Sequence, residues 1–273
     1  MIENIANYLH TADPLSTGMI AILITTGIFV GFVNTLAGMA TALSYMLFMA
    51  MGMPINIANG TTRVGVLAQF AVSSAMFKKS GYLDIKVATK VGIPVALGSL
   101  IGAQAAAVLN PTIMEVTMGI MLPIMAVMLL YSQHNRNKNG KGELTQEELN
   151  EKTKFGVLKF VAFMFIGAYG GFTHAGVGIL IIFGSFYLLG LDILRANGVK
   201  QFAVVIYTPL ALSIFIFHGQ VNWPVALIYA IGNVLGAILA SKYAVKWGAK
   251  VVNYVIAIAV FAMSFWLIYK QFI

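Results

Sequence analysis

Two short polar stretches carry the chemistry this sequence can offer. The first runs from Gly31-Phe-Val-Asn-Thr-Leu-Ala-Gly38 to Ala58-Asn-Gly-Thr-Thr-Arg-Val64. It sets glycine, asparagine, threonine and an arginine in a region otherwise apolar enough to lie in a bilayer. The second is a copy in the other half of the chain. Gly38 maps to Gly176, Gly52 to Gly190, Ala58-Asn59-Gly60 to Ala196-Asn197-Gly198 and Gly81 to Gly219, each 138 positions on (190 − 52, 219 − 81). Two copies of one glycine-rich polar break in hydrophobic sequence point to an internal repeat with a site at its interface.

Arg63 and Lys200 are the strongest individual candidates. Each follows an Ala-Asn-Gly turn in a nearly charge-free environment. A cation inside a membrane is costly and is usually functional or paired. No carboxylate lies near Arg63 in sequence, so an anionic ligand is one partner for it; snorkelling from a helix end to a lipid headgroup is the other reading. The turns Asn59, Gly60, Thr61, Thr62 and Asn197, Gly198, Gln201 read as helix starts, where free N–H groups and the dipole favour an anion. Asn34 and Gly38 mark the first break, His174 and Gly176 its counterpart. Asparagine and threonine at such breaks also cap helices. His174 is either a proton carrier near neutral pH or a capping residue between two segments.

The elements that must position these residues are membrane spans. The chain is 59% hydrophobic and 10% charged, with a mean hydropathy of +0.86; a soluble domain carries about a quarter charged residues. No Asp, Glu, Lys or Arg occurs over 15–62, 201–241 or 251–269. Ten hydrophobic segments are expected: 16–37, 39–53, 57–77, 87–108, 111–131, 155–173, 176–190, 196–217, 223–241 and 251–269. They form two sets of five, giving a first membrane repeat over 1–131, a cytoplasmic connecting loop over 132–154 and a second repeat over 155–273. Within the loop, Thr145-Gln-Glu-Glu reads as the capped start of a short surface helix.

The segments 39–53 and 176–190 would extend only about 22 Å as helices, short of a hydrocarbon core of about 30 Å. Short glycine-bounded segments at matching places in two halves are the sequence pointer to a transport site. If all ten cross, Lys78, Lys79, Lys86, Arg136, Lys138, Lys141, Arg195, Lys242, Lys246 and Lys250 share the cytoplasmic side. Re-entrant short segments would split them between the two sides. Five crossings per repeat then make the repeats inverted, so the expected fold is an all-α polytopic membrane protein with two inverted repeats and short broken helices.

Other classes find little support. The chain has no cysteine, which excludes disulfides and thiolate metal sites. Its formal charge of +8 collects in loops, as in cytoplasmic loops of membrane proteins, and does not argue for nucleic acid. The N-terminus lacks the basic region of a cleavable signal peptide, so insertion is expected to rely on the first span. Segment interiors hold essentially one carboxylate, Glu115, and no hydrolase motif is present. The expectation is therefore no enzyme, no metal and no cofactor. Glycine-rich runs such as 92–102 and 230–236 read as helix packing rather than as substrate contacts.

The run Gly31-Phe-Val-Asn-Thr-Leu-Ala-Gly38, followed by Met51-Gly-Met-Pro-Ile-Asn-Ile-Ala-Asn-Gly-Thr-Thr62, resembles the TauE/SafE (sulfite exporter) family of permeases. So does the second copy, Gly190-Leu-Asp-Ile-Leu-Arg-Ala-Asn-Gly-Val-Lys-Gln201 with Gly219-Gln-Val-Asn-Trp223. The likeness spans about residues 18–268. It departs at the first break, where Gly38-Met-Ala-Thr41 replaces a more glycine-rich run. It also sets Val199-Lys200-Gln201 opposite Thr61-Thr62-Arg63, so any site is pseudo-symmetric at best.

The resemblance implies a multi-pass permease of the bacterial inner membrane that moves sulfite or an organosulfonate, usually outward. The expected partners are that small anion, membrane lipid and a second copy of the chain as a homodimer. The expected substrate-binding set is Asn34, Gly38, Asn59, Gly60, Thr61, Thr62, Arg63, His174, Gly176, Asn197, Gly198, Lys200 and Gln201. Alternatives from other classes are an anion channel and a non-transporting membrane scaffold, the latter needing no polar breaks at matched depth.

Overall fold

The structure is a computed structural model that describes residues 2–38, 40–136 and 154–243. Among these residues all regular structure is α-helical. The tenth apolar segment, the Thr145 turn, and Lys138, Lys141, Lys246 and Lys250 lie outside the described residues.

Helix α1 (Ile2–Thr11) precedes the first long span, α2 (Thr17–Ala37). The Ser16 side chain caps α2 by accepting from the Met19 N–H, which satisfies one of the free donors at a helix start. Helix α2 stops at Gly38, and the short α3 (Thr41–Ala50) follows. Pro54 then opens α4 (Ile55–Lys79), whose last turn carries Lys78 and Lys79, cations suited to the negative end of a helix dipole. Asp84 caps α5 (Ile85–Val108) through the N–H groups of Lys86 and Val87, and Pro111 starts α6 (Pro111–Arg136). Helix α6 therefore runs five residues past 131, the expected end of the fifth segment.

The second half repeats the plan with α7 (Val157–Phe172), α8 (Val177–Leu189), α9 (Ile193–Phe217) and α10 (Trp223–Tyr243). Its breaks fall where those of the first half do. Among the described residues, six glycines have positive φ, and they form three pairs 138 apart: Gly38 and Gly176, Gly52 and Gly190, Gly81 and Gly219. Helices α4 and α9 are offset by the same 138 at both ends (193 − 55, 217 − 79). The two short helices have 10 and 13 residues, so they extend only about 15 and 20 Å.

Packing follows from small residues. Helix α2 lies along α10, and α5 lies along α7. A Cβ on Gly31 would stand 2.3 Å from the Asn233 carbonyl oxygen, and one on Gly102 would stand 1.8 Å from that of Ala168. These backbones touch directly, the contact that replaces hydrophobic driving force between helices in lipid. Helices α4 and α9 cross antiparallel: Gly60 near the start of α4 meets Gln220 just past α9, and Gly198 near the start of α9 meets Tyr82 just past α4.

The polarity is that of a membrane protein. Ile93, Leu97, Ile101, Leu227 and Ile231 are exposed on the outside, while Asn34, Asn59, Arg63, Gln69, Lys200, Gln201 and Asn233 are buried. Helices α2, α5, α9 and α10 each contain a stretch long and apolar enough to cross a bilayer.

Candidate substrate site

The two helix breaks meet. A Cβ on Gly38 would sit 2.7 Å from the Gly178 Cα, so the α2–α3 and α7–α8 junctions are in backbone contact. Each junction leaves the last carbonyls of a helix, α2 or α7, without partners inside that helix and at the negative end of its dipole. The left-handed conformation of Gly38 and Gly176 makes both turns possible.

A cation from the opposite half of the chain takes each set of carbonyls. Arg63 Nη2 donates to the carbonyls of Gly170 (3.1 Å) and Gly171 (2.6 Å) at the end of α7. Lys200 Nζ donates to those of Asn34 (3.1 Å) and Thr35 (3.0 Å) at the end of α2. Both side chains are fully buried. Each also faces an aromatic ring, Phe215 at 4.9 Å from Arg63 Cζ and Phe70 at 5.5 Å from Lys200 Nζ, the geometry of a cation–π contact.

Each asparagine accepts from the side chain one turn further along its own helix, Arg63 for Asn59 and Gln201 for Asn197. Asn59 Oδ1 accepts from Arg63 Nε at 3.2 Å and from the Tyr45 hydroxyl at 3.0 Å, while its Nδ2 donates to the Phe172 carbonyl at 2.8 Å. One repeat away, Asn197 Oδ1 accepts from Gln201 Nε2 at 3.2 Å; that nitrogen also donates to the Thr35 carbonyl, and Gln201 Oε1 accepts from Ser73. Asn34 Nδ2 donates to Thr41 Oγ1 at 2.9 Å. The His174 N–H donates to the Tyr45 hydroxyl, and its Nδ1 shares a hydrogen bond with the Tyr207 hydroxyl. His174 is therefore a buried member of the centre and not a surface capping residue.

Charge is left over here. Arg63 Nη1 is buried with no hydrogen-bond acceptor among the protein atoms. Asp13, Asp84 and Asp192 are exposed, and Glu115 is only partly buried. An unpaired buried donor costs about 1–3 kcal/mol, more when charged. Arg63 packs into the interior and does not snorkel to a headgroup.

Nine expected residues thus gather at or beside the two breaks: Asn34, Gly38, Asn59, Arg63, His174, Gly176, Asn197, Lys200 and Gln201. Four do not join their polar network. Gly60 and Gly198 let backbone approach, a Cβ on them falling 2.1 Å from the Gln220 oxygen and 2.2 Å from the Tyr82 oxygen. Thr61 accepts from the Asn222 N–H, and Thr62 donates back to Ala58 in its own helix. The expectation of helix starts at Asn59 and Asn197 is corrected as well. Helices α4 and α9 begin at Ile55 and Ile193, and the N–H groups of Ala58 and Ala196 are already bonded to Pro54 and Asp192. The donors are therefore side chains, not free helix N–H groups.

Tyr45, Tyr207, Phe70, Phe215, Thr35 and Ser73 also contact these side chains and were not among the expected site residues. Helical spacing was the available signal. Asn59, Arg63, Phe70 and Ser73 share one face of α4, and Lys200 and Tyr207 share one of α9. At the end of the α4–α9 crossing, a cavity of about 270 Å³ is lined by Tyr82, Leu83, Asp84, Leu191, Arg195 and Val199 among others. Val199 directly precedes Lys200.

Discontinuous helices meeting around buried cations, with apolar faces outward, define a multi-pass helical membrane protein of transporter type. The family model described as "Sulfite exporter TauE/SafE" matches residues 23–267, and the chain belongs to this family. It is similar to a "Probable membrane transporter protein ORF9" of Sinorhizobium, 24% identical over 92% of this chain and 93% of that one. It is also similar to a "Probable membrane transporter protein" of Haemophilus influenzae (21%, covering 93% and 96%) and to "Probable membrane transporter protein YfcA" of Escherichia coli K12 (22%, covering 97% and 94%). No solved structure matches the chain. The chain is a membrane transporter.

Proposed function

We propose that the protein is a secondary transporter of a small sulfur oxyanion, sulfite or an organosulfonate, moved by alternating access and exported across a bacterial inner membrane. The observation that carries this reading is the pair of buried cations, Arg63 with a free Nη1 and Lys200, while Asp13, Asp84, Glu115 and Asp192 lie outside the buried core. The free Nη1 suits an oxygen of a sulfite or sulfonate group, to which it would give a charge-assisted hydrogen bond. Family membership supports the sulfur chemistry and the outward direction, and the bacterial relatives support the location.

The substrate would sit beside the contact of the two breaks, held by Arg63 and Lys200, with Asn59, Gln201, Asn34 and His174 shaping the surroundings. The antiparallel crossing of the equivalent helices α4 and α9 supports inverted repeats, since a two-fold axis between them reverses direction. The cavity beside Arg195 and Asp84 is the cytoplasmic vestibule in this reading.

The test is ligand-induced thermal stabilisation of the purified protein with sulfite, sulfoacetate, sulfate and chloride. The expected result is a rise in melting temperature with sulfite or sulfoacetate that Arg63→Ala abolishes. No shift with any of the four, in protein shown to be folded, overturns the reading.

A further inference from the structure

The helices are not grouped by repeat. Helix α2 packs along α10 of the other half, and α4 and α3 join them. Helix α5 packs along α7 of the other half, and α8 and α9 join those. Each group is welded by backbone contact at glycine, through Gly31 and Gly236 in the first and Gly98 and Gly102 in the second. The bundles are therefore exchanged: one holds α2–α4 with α10, the other α7–α9 with α5. Between them run the α4–α9 seam and the contact of the two breaks.

Most polar contacts of the centre cross that seam. Arg63 on α4 reaches the carbonyls of α7, and Lys200 on α9 reaches those of α2. Asn59 to Phe172, Tyr45 to His174, and Ser73 and Thr35 to Gln201 cross it too. Two connections between bundles, α4 to α5 and α9 to α10, carry Gly81 and Gly219 at equivalent positions, both left-handed with open space where a Cβ would be. Such positions absorb backbone rotation without disturbing packing.

We propose that these two exchanged bundles, and not the two sequence repeats, are the bodies that move in transport. Arg63 and Lys200 are the latch between them, each holding the carbonyl end of a broken helix in the opposite body. A bound anion competes with those carbonyls for the cations and so frees the bodies to turn. This last step rests on the proposed anion transport; the division into bodies does not.

The absence of cysteine makes paired spin labels direct. Cysteines at Thr17 and Lys242, or at Val108 and Val157, report pairs within one body but from different halves. Cysteines at Thr17 and Lys90 report one half but two bodies. Distances are measured by pulsed electron resonance in the full-length protein, with and without sodium sulfite, and in Lys200→Gln and Arg63→Lys backgrounds shown to be monodisperse. The expected result is an unchanged distribution for both within-body pairs and a shift for Thr17–Lys90 larger than their widths.

A Thr17–Lys242 pair that shifts while Thr17–Lys90 stays fixed overturns the exchanged bodies. A Thr17–Lys90 distribution unmoved in both latch variants overturns the latch. If the variants shift it and sulfite does not, the bodies and latch stand, and the choice of anion is what fails.

Discussion

Substituting alanine for Gly38 and, separately, for Gly81 isolates what the meeting of the breaks contributes. Both residues are left-handed, at φ 79° and 78°, so both substitutions impose the same conformational cost of about 1–2 kcal/mol. Stiffening of the unfolded chain offsets each equally. Their surroundings differ. At Gly81 nothing lies within 4 Å of the new Cβ, whereas at Gly38 it falls 2.7 Å from the Gly178 Cα and 3.0 Å from its carbonyl carbon. Backbone cannot swing aside as a side-chain tip does, so overpacking adds about 1–3 kcal/mol there. Gly38→Ala is expected to lose about 2–5 kcal/mol in all and Gly81→Ala about 1–2. Denaturation in mixed detergent micelles measures both. Equal losses would refute the direct contact of the two breaks on which the site is built.

Three further outcomes follow from the same geometry. Arg63→Ala is expected to weaken sulfite binding by about tenfold to a hundredfold, the worth of one charge-assisted contact, while Lys78→Ala, exposed at the end of α4, leaves the affinity within about twofold. Calorimetric titration separates the two, and equal weakening contradicts the assignment. Tyr45→Phe removes the hydroxyl that donates to Asn59 and accepts from the His174 N–H; a loss of about 1–3 kcal/mol in stability is expected, and an unchanged melting temperature would show that the network does not depend on it. Gly60→Ala and Gly198→Ala place a Cβ 2.1 and 2.2 Å from equivalent carbonyl oxygens, so their melting temperatures should fall together. Damage from only one of them would argue against the internal symmetry of the α4–α9 crossing.

The order of elements was legible because bilayer length and glycine punctuation constrain a membrane chain tightly. Gly38, Gly52 and Gly81, with their partners Gly176, Gly190 and Gly219, mark the turns, and all six adopt the backbone that glycine alone takes easily. Arg63 and Lys200 were legible from the cost of a cation in apolar sequence. Their partners were not. Carbonyls of Gly170, Gly171, Asn34 and Thr35 leave no trace in residue type, since every residue has one. Helix starts were misplaced because Asn59 and Asn197 resemble caps, whereas Pro54 and Asp192 occupy that position and the asparagines stand one turn inside. Nothing in their sequence surroundings marks Tyr45 and Tyr207, whose hydroxyls only tertiary structure brings to Asn59 and His174. The exchange of helices between halves was beyond reach for the same reason: small-residue stripes say that helices approach closely, not which partner they approach.

The measurement that bears most directly on the central claim is uptake of radiolabelled sulfite by liposomes containing the purified protein. Wild type is compared with Arg63→Gln, Lys200→Gln and, as the exposed control, Lys78→Gln. Saturable uptake that both buried substitutions abolish and Lys78→Gln preserves is the predicted result. Uptake that survives loss of both cations, or wild-type liposomes no more permeable to sulfite than protein-free ones, would contradict a carrier built around Arg63 and Lys200.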